Sequence, residues 1–338
     1  MLRSLSAGDV ALSVPPLADT EGVSTVLWEH QANALALCRD RQHRDSSRVL
    51  VRLPPGTGKT EIGARAAVQW VMGGSFRRAL ISVPTGQILA NFYRRLVNLT
   101  RLPVAVERAQ QVDLLRSRIV VGSQPTLWSR LAKFGDDTLC VIDECHHANI
   151  DAPENLRIFE RFRHVVGLSA TPWSNGCGSL FSTADTFSMT LDDAQRQGFV
   201  CEYQVLPWTE PRGPWGLVFC ETNAECERRS AAHPGSSWIG VNVAPGLVSA
   251  RVRAWKGRQL AVLYVNRMLL EGFDEKRCGH VWIARECESD IMIVQMVGRA
   301  LRHEPGKCAS IFCTSAAMAQ RVRSAMQRLN EPMVDGKK

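Results

Sequence analysis

The stretch Leu53-Pro54-Pro55-Gly56-Thr57-Gly58-Lys59-Thr60 constrains the fold of this chain more than any other. An apolar run, Val49-Leu50-Val51, precedes it, and a helix-forming run, Glu61-Ile62-Gly63-Ala64-Arg65-Ala66-Ala67-Val68, follows. Strand, Gly-rich turn and helix in that order are the setting of a phosphate-binding loop. The backbone N–H groups of such a turn, backed by the helix N-terminus, surround phosphate oxygens. Pro55, Gly56, Thr57 and Gly58 form the turn, Lys59 is expected to reach the β- and γ-phosphates, and the Thr60 hydroxyl to ligate Mg²⁺. The alternative is an incidental Gly-rich turn. Taken alone, the loop predicts nucleoside triphosphate binding and leaves the use of the energy to be read elsewhere.

The rest of the chain alternates apolar runs with helical periodicity. Strands are expected at 49–51, 79–83, 118–121, 139–142 and 165–168, with helices from Leu27 to Cys38, after the phosphate loop, and after Gly86. The last of these should bury Ile88, Leu89, Phe92 and Leu96 on one face. Residues 174–190, rich in Ser, Thr and Gly, read as a loop excursion, and 205–214 as a Pro-rich hinge. The alternation then restarts, with strands near 216–220, 238–241, 260–265, 280–284 and 310–313 and helices near 222–232, 247–256, 289–301 and 316–328. Apolar strands alternating with helices predict a parallel sheet covered on both faces. The expected organisation is therefore a lead-in over 1–21, one α/β domain over 22–207 and a second over 208–338.

Composition narrows the class. The chain has 338 residues, 45% hydrophobic and 22% charged, which suits a globular protein of two domains. No apolar run approaches the roughly 18 residues needed to span a bilayer, so no membrane role is expected. The net charge of +8 favours a polyanionic partner, although 34 of the 41 basic residues are Arg and they are spread along the chain. The 11 cysteines are scattered with no C-x-x-C pair, which reads as buried reduced thiols in a cytoplasmic protein. Cys145-His146-His147 lacks a fourth neighbour that would complete a metal site, so neither zinc nor an iron–sulfur cluster is expected.

A phosphate loop needs a carboxylate at the end of a neighbouring strand to hold the metal ion. Val141-Ile142-Asp143-Glu144 supplies one: Asp143 to orient Mg²⁺ and Glu144 to polarise the attacking water. At this point a resemblance emerges. Asp143-Glu144-Cys145-His146 resembles the D-E-x-H box of superfamily 2 helicases, and Ser169-Ala170-Thr171-Pro172 their motif III. Glu271-Gly272-Phe273-Asp274 resembles motif V, and the run from Gln295 through Gly298-Arg299 to Arg302 is similar to motif VI. Trp28-Glu29-His30-Gln31 is similar to the upstream glutamine element. Within the superfamily the chain most resembles the helicase subunit of type III restriction enzymes and related phage and bacterial DNA translocases.

The resemblance implies two tandem RecA-like (P-loop NTPase) domains, each a mostly parallel sheet flanked by helices, with ATP between them. It implies Gln31 as adenine reader, Gly272 and Asp274 as further nucleotide contacts, and His146, Ser169 and Thr171 as a coupling group. Gln295 would stand near the γ-phosphate, with Arg299 and Arg302 as arginine fingers. If 289–301 is one helix, positions 295, 299 and 302 fall at i, i+4 and i+7 on one face. Nucleic-acid contacts are implied at Pro84, Thr85, Ser123, Gln124 and Asn266, each of which also suits plain turn chemistry. Trp28, Trp173, Trp208 and Trp215 suit core or hinge packing better than base stacking.

The function expected is an ATP-dependent translocase or helicase acting on nucleic acid, double-stranded DNA before RNA. The protein is expected in the cytoplasm of a bacterium or phage-infected cell, as a monomer or weak oligomer. No wedge or nuclease is legible, so a protein partner would supply specificity, strand separation or cleavage. Two rivals stand beside this reading. An oligomeric AAA+ remodeller would show one nucleotide domain and a helical lid. An ATP-gated clamp or sensor would hold nucleic acid while a partner acts.

Overall fold

The computed structural model describes residues 27–107, 117–147, 153–211, 215–266 and 275–333. The 1–21 lead-in and the Glu271–Asp274 run, with Gly272 and Asp274, lie outside them. The first sheet is built from β1 (Ser47–Arg52), β2 (Arg78–Val83), β3 (Val104–Glu107), β4 (Ile119–Ser123), β5 (Thr138–Asp143), β6 (His164–Ser169) and β7 (Thr186–Ser188). Helices α1 (Glu29–Arg41), α2 (Lys59–Met72), α3 (Gly86–Leu99), α4 (Gln124–Trp128), α5 (Pro153–Arg161) and α6 (Leu191–Arg196) accompany it. Strands β8 (Glu202–Pro207), β9 (Gly216–Cys220), β10 (Ser236–Ile239), β11 (Val262–Val265), β12 (His280–Ala284) and β13 (Cys308–Cys313) form the second sheet. Its helices are α7 (Asn223–Ala231), α8 (Pro245–Lys256), α9 (Asp290–Gly298) and α10 (Ala316–Gln327).

The first sheet has 7 strands in the order β3-β4-β2-β5-β6-β1-β7, and the second has 6 in the order β10-β11-β9-β12-β13-β8. Pairings in both are parallel. Burial explains why: β5, β6, β9 and β11 are buried at every position, so both faces need a helical cover. Side chains of β5 alternate between two core layers. Leu139 and Val141 join Ile62 of α2 and Phe92 of α3, whereas Cys140 and Ile142 join Ile158 and Phe159 of α5. In the second domain Trp255 is fully buried, stacked 4.2 Å from Trp215, with its indole N–H on the Gly216 carbonyl.

The helical lid of the AAA+ alternative is replaced by the second parallel sheet. The expected join at 208 is displaced, because β8 already pairs with β13 through Glu202–Pro207. The 174–190 excursion is not all loop: 3-10 turns lead into β7, which adds an edge strand beside β1. Strand β3 is additional to the expected strands; it is short and mostly half-buried. The domains are also tied at the far end of the chain. After α10 a turn returns to the first domain, where the Arg52 guanidinium donates to the Arg328 carbonyl at 3.0 Å and the Glu331 carbonyl at 2.6 Å. Asn330 and Asp192 exchange two hydrogen bonds, at 2.7 and 3.0 Å, beside it.

Candidate active site

The phosphate loop leaves β1 and enters α2 through two left-handed glycines, Gly56 (φ 96°) and Gly58 (φ 86°). Gly58 is the N-cap of α2, and a Cβ there would lie 2.2 Å from the Gln31 amide nitrogen. Backbone conformation and space thus both demand glycine at 58. Thr57 is fully buried, and its hydroxyl donates to the Pro54 carbonyl at 2.8 Å. From behind, α1 braces the loop. The Thr57 carbonyl accepts from Gln31 Nε2 at 3.3 Å and lies 2.8 Å from His30 Nε2. A carbonyl only accepts, so His30 carries its proton on Nε2. The other end of the Gln31 amide accepts the Trp28 backbone N–H at 3.1 Å.

Gln31 is therefore engaged at both ends as a brace, with one amide N–H and one carbonyl lone pair beyond those two bonds. Trp28 is 42% exposed and stacks on Phe199 at 5.0 Å, which gives an open aromatic surface on that flank.

Asp143 closes β5 and is 4% exposed. Glu144 follows at φ 47°, a left-handed conformation that a glutamate adopts only at a cost. Lys59 Nζ donates to the Leu53 carbonyl at 3.0 Å. Burial lowers the Lys59 pKa; Glu144 and then Asp143 oppose that shift, and Arg302 and Arg299 add to it. All five ionisable groups thus share one field.

His146 is 1% exposed and joins the acidic pair to the Ser169–Thr171 run. Its Nδ1 lies 2.9 Å from Ser169 Oγ, 3.4 Å from Thr171 Oγ1 and 3.4 Å from Glu144 Oε2. Ser169 Oγ also accepts the Thr171 backbone N–H at 3.0 Å. Burial, aided by His147 and Lys59, holds the His146 pKa well below the ordinary 6.5, so the ring is neutral.

The second domain closes the cleft with α9. Gln295 and Arg299 are 8% and 9% exposed, and Arg299 Nε donates to the Gln295 carbonyl at 3.2 Å. The expected helix over 289–301 ends early, at Gly298, so the i, i+4, i+7 account of Arg302 is corrected. Arg302 is held by an antiparallel bridge to Val200, beyond the helix. A Cβ built on Gly56 would be 3.2 Å from both Arg302 Nη1 and Val200 Cγ1. Lys59, Thr60, Asp143, Glu144, Gln295, Arg299 and Arg302 line one cavity of about 430 Å³.

The residues expected to contact nucleic acid stand at C-terminal strand ends of the two sheets, and Thr85, Ser123 and Gln124 among them also make contacts within the chain. Thr85 caps α3 by accepting the Ile88 N–H at 3.4 Å, with Pro84 just before it at the end of β2. Ser123 Oγ donates to Thr126 Oγ1 at 2.8 Å. Gln124 is 5% exposed against the Asp143 backbone. Asn266 follows β11, and its buried Oδ1 has no hydrogen-bond partner among the described residues. Trp173 lies beneath Arg52 and Arg328, and Trp208 beneath Arg229, both packing roles. Ten of the cysteines are buried and all are free; no metal-holding cluster occurs among the described residues. No described helix is long and apolar enough to cross a membrane.

Sequence reading missed the polar side of α3. Asn91, Arg94 and Arg95 line the cavity, as does Lys256 at the end of α8. Glu61, two residues into α2, is bound by both Arg65 and Arg95. The i, i+3, i+4 spacing of 91, 94 and 95 was the available signal.

The profile of the family described as type III restriction enzyme, res subunit, matches residues 24–174. A comparison with curated protein sequences returned no match. Among solved structures, S. cerevisiae Dbp5 bound to RNA and ADP BeF3 superposes with a TM-score of 0.64 at 12% identity, covering 91% of this chain and 93% of that one. The ATP-dependent Type ISP restriction-modification enzyme LlaBIII bound to DNA gives 0.70 at 15% identity, over 90% of this chain. This chain spans only 30% of the length of LlaBIII. At such identities the likeness establishes the fold alone: two tandem RecA-like α/β domains. The first domain also resembles the res subunit, and together these findings support a helicase-type ATPase class.

Proposed function

We propose that this chain is an ATP hydrolase of the helicase type, which uses closure of its two domains to move along nucleic acid, with double-stranded DNA as the favoured track. The observation that carries the reading is the composite cavity. Lys59 and Glu144 enter it from the first sheet, Gln295, Arg299 and Arg302 from the second domain. A site shared in this way turns over only when the domains are together, which couples hydrolysis to movement.

The donor set fits a triphosphate with its metal ion. Two left-handed glycines open the loop backbone, one cation stands at the start of α2, and a hydroxyl (Thr60) and a carboxylate (Asp143) face the same cavity. Mg²⁺ usually takes few protein ligands and completes its shell with phosphate oxygens and water. Bound there, it would neutralise charge on the β- and γ-oxygens.

Glu144 accepts a proton from the attacking water as the water oxygen bonds to the γ-phosphorus. The bond from that phosphorus to the β-bridging oxygen breaks, giving ADP and orthophosphate. Lys59, Arg299 and Arg302 stabilise the charge that spreads over the γ-oxygens. Gln295 positions the water. His146, neutral and bonded to Ser169, links Glu144 to the Ser169–Thr171 run, so a shift of the acidic pair is felt there. The ends of β2, β4 and β11 offer hydroxyls, amides and backbone N–H groups around Thr85, Ser123 and Asn266 for phosphate tracking.

DNA is favoured as track because the first domain resembles the res subunit and LlaBIII is a DNA-bound enzyme of this fold. The test is steady-state ATPase activity with no polymer, double-stranded DNA, single-stranded DNA or RNA. Strong stimulation by double-stranded DNA supports the reading. Stimulation by RNA alone overturns the track, and activity indifferent to every polymer overturns the autonomous motor in favour of a clamp or a partner-dependent subunit.

A further inference from the structure

The cavity is lined by residues of α3 and α8 as well as by the hydrolytic residues. In the strand order β2-β5-β6-β1-β7, the phosphate loop rises from β1, the acidic pair from β5 and α3 from β2. Gln31 and α1 brace the loop on its other flank, where α1 packs beside β1 and β7. A triphosphate seated on the loop with its reacting phosphorus at Glu144 directs its nucleoside away from α3. The α3 end of the cavity therefore lies beyond the γ-phosphate.

Asn91, Arg94 and Arg95 of α3 line the same cavity, and so does Lys256 at the end of α8, so its lining beyond the hydrolytic residues is cationic. Its one further carboxylate, Glu61, is already bound by Arg65 and Arg95. Arg94 is exposed to solvent and held in position, with Nη2 on Asn91 Oδ1 at 2.7 Å and Nε on the Ala90 carbonyl at 3.2 Å. A guanidinium offers a planar fork of donors matched to phosphate oxygens, and an ammonium adds a rotatable point charge. None of these side chains has a part in the hydrolytic chemistry.

We propose that the α3 end of the cavity is an orthophosphate-binding subsite through which the cleaved γ-phosphate leaves the cleft while ADP remains on the loop. The proposal rests on the ATPase reading above. Asn91, Arg94 and Lys256 form the subsite. Arg95, pinned by Glu61, sets its inner wall, and Arg94 hands the anion to solvent. Release of phosphate and release of ADP then follow different routes.

The test is equilibrium dialysis of radiolabelled inorganic phosphate against the full chain in saturating ADP and Mg²⁺, for wild type, Arg94→Gln, Lys256→Gln and Lys59→Ala. Fluorescent ADP binding is measured in parallel. Each of the first two substitutions is expected to weaken phosphate binding about tenfold, the loss of one charged hydrogen bond, while ADP affinity holds. Inhibition of ATPase activity by added phosphate should weaken by the same factor. Phosphate binding unchanged in Arg94→Gln and Lys256→Gln, or lost only in Lys59→Ala, overturns the subsite. Loss of ADP affinity in step with phosphate would assign the cluster to the nucleotide and also overturn it. Failure of wild type to bind ADP speaks instead against the ATPase reading, so the two failures are separable.

Discussion

Gly298 lies against Pro55, across the cleft: a Cβ built on Gly298 would stand 2.6 Å from Pro55 Cβ and 3.0 Å from Pro55 Cγ. The last residue of α9 thus touches the phosphate loop through an absent side chain, one residue before Arg299. Gly298→Ala should disturb the cleft without harming the fold, since Ala favours a helix end by up to about 1 kcal/mol over Gly. Hydrolysis is expected to fall between tenfold and about 10³-fold, because an arginine finger held off its phosphate loses most of its effect. ADP affinity should change little. The check is steady-state ATPase activity beside nucleotide binding; full activity in the variant would show that this contact does not set the catalytic geometry.

Glu144→Gln keeps the shape and removes the proposed base. Hydrolysis should fall by about 10²–10⁴ while ATP still binds, leaving the variant loaded with unhydrolysed ATP. Filter binding with γ-labelled ATP reports both. Rapid hydrolysis in the variant would remove Glu144 from its assigned role.

Arg52 is 3% exposed, and its guanidinium holds the carbonyls of Arg328 and Glu331. Arg52→Met should destabilise the protein by about 2–3 kcal/mol and free the turn that ties the second domain to the first. Denaturant melts and limited proteolysis near Arg328 test this. An unchanged melt with no new cleavage would mean that the tie contributes nothing.

Four histidines, His30, His146, His164 and His280, have pKa values lowered from 6.5, chiefly by burial. Each stays neutral in the folded chain at pH values where the unfolded chain binds a proton. Their contribution is intact above pH 6.5 and is lost as pH falls from there toward the folded-state values. Each histidine adds at most about 1.4 kcal/mol per pH unit. Urea midpoints should therefore drop between pH 7.5 and 5.5, and less steeply in His146→Gln. Equal midpoints at the two pH values would contradict the burial account.

The strand and loop elements of this site were legible because their determinants are local. Val49–Val51 and Leu139–Ile142 are unbroken apolar runs, and the loop and acidic pair follow them directly. The elements that escaped are set by long-range contacts. Gly298 is itself a stop signal that the reading of 289–301 as one helix passed over; the end comes where α9 meets Pro55 and Arg302 bridges Val200. Residues 205–214 read as a hinge because Pro207, Pro211 and Pro214 punctuate them, and only pairing with β13 makes Glu202–Pro207 a strand. The bond from Gln31 to the Thr57 carbonyl spans 26 positions and is not visible in the sequence. On α3, attention to Ile88, Leu89, Phe92 and Leu96 found the buried face and passed over the one that lines the cleft.

The composite cavity predicts that hydrolysis is completed by side chains of the second domain. Single-turnover ATP hydrolysis in Arg302→Ala, measured beside its ATP affinity, tests it most directly. A rate lower by about 10³–10⁵ with affinity largely kept is the predicted result. A wild-type rate on bound ATP, or a loss confined to affinity, would contradict the composite site.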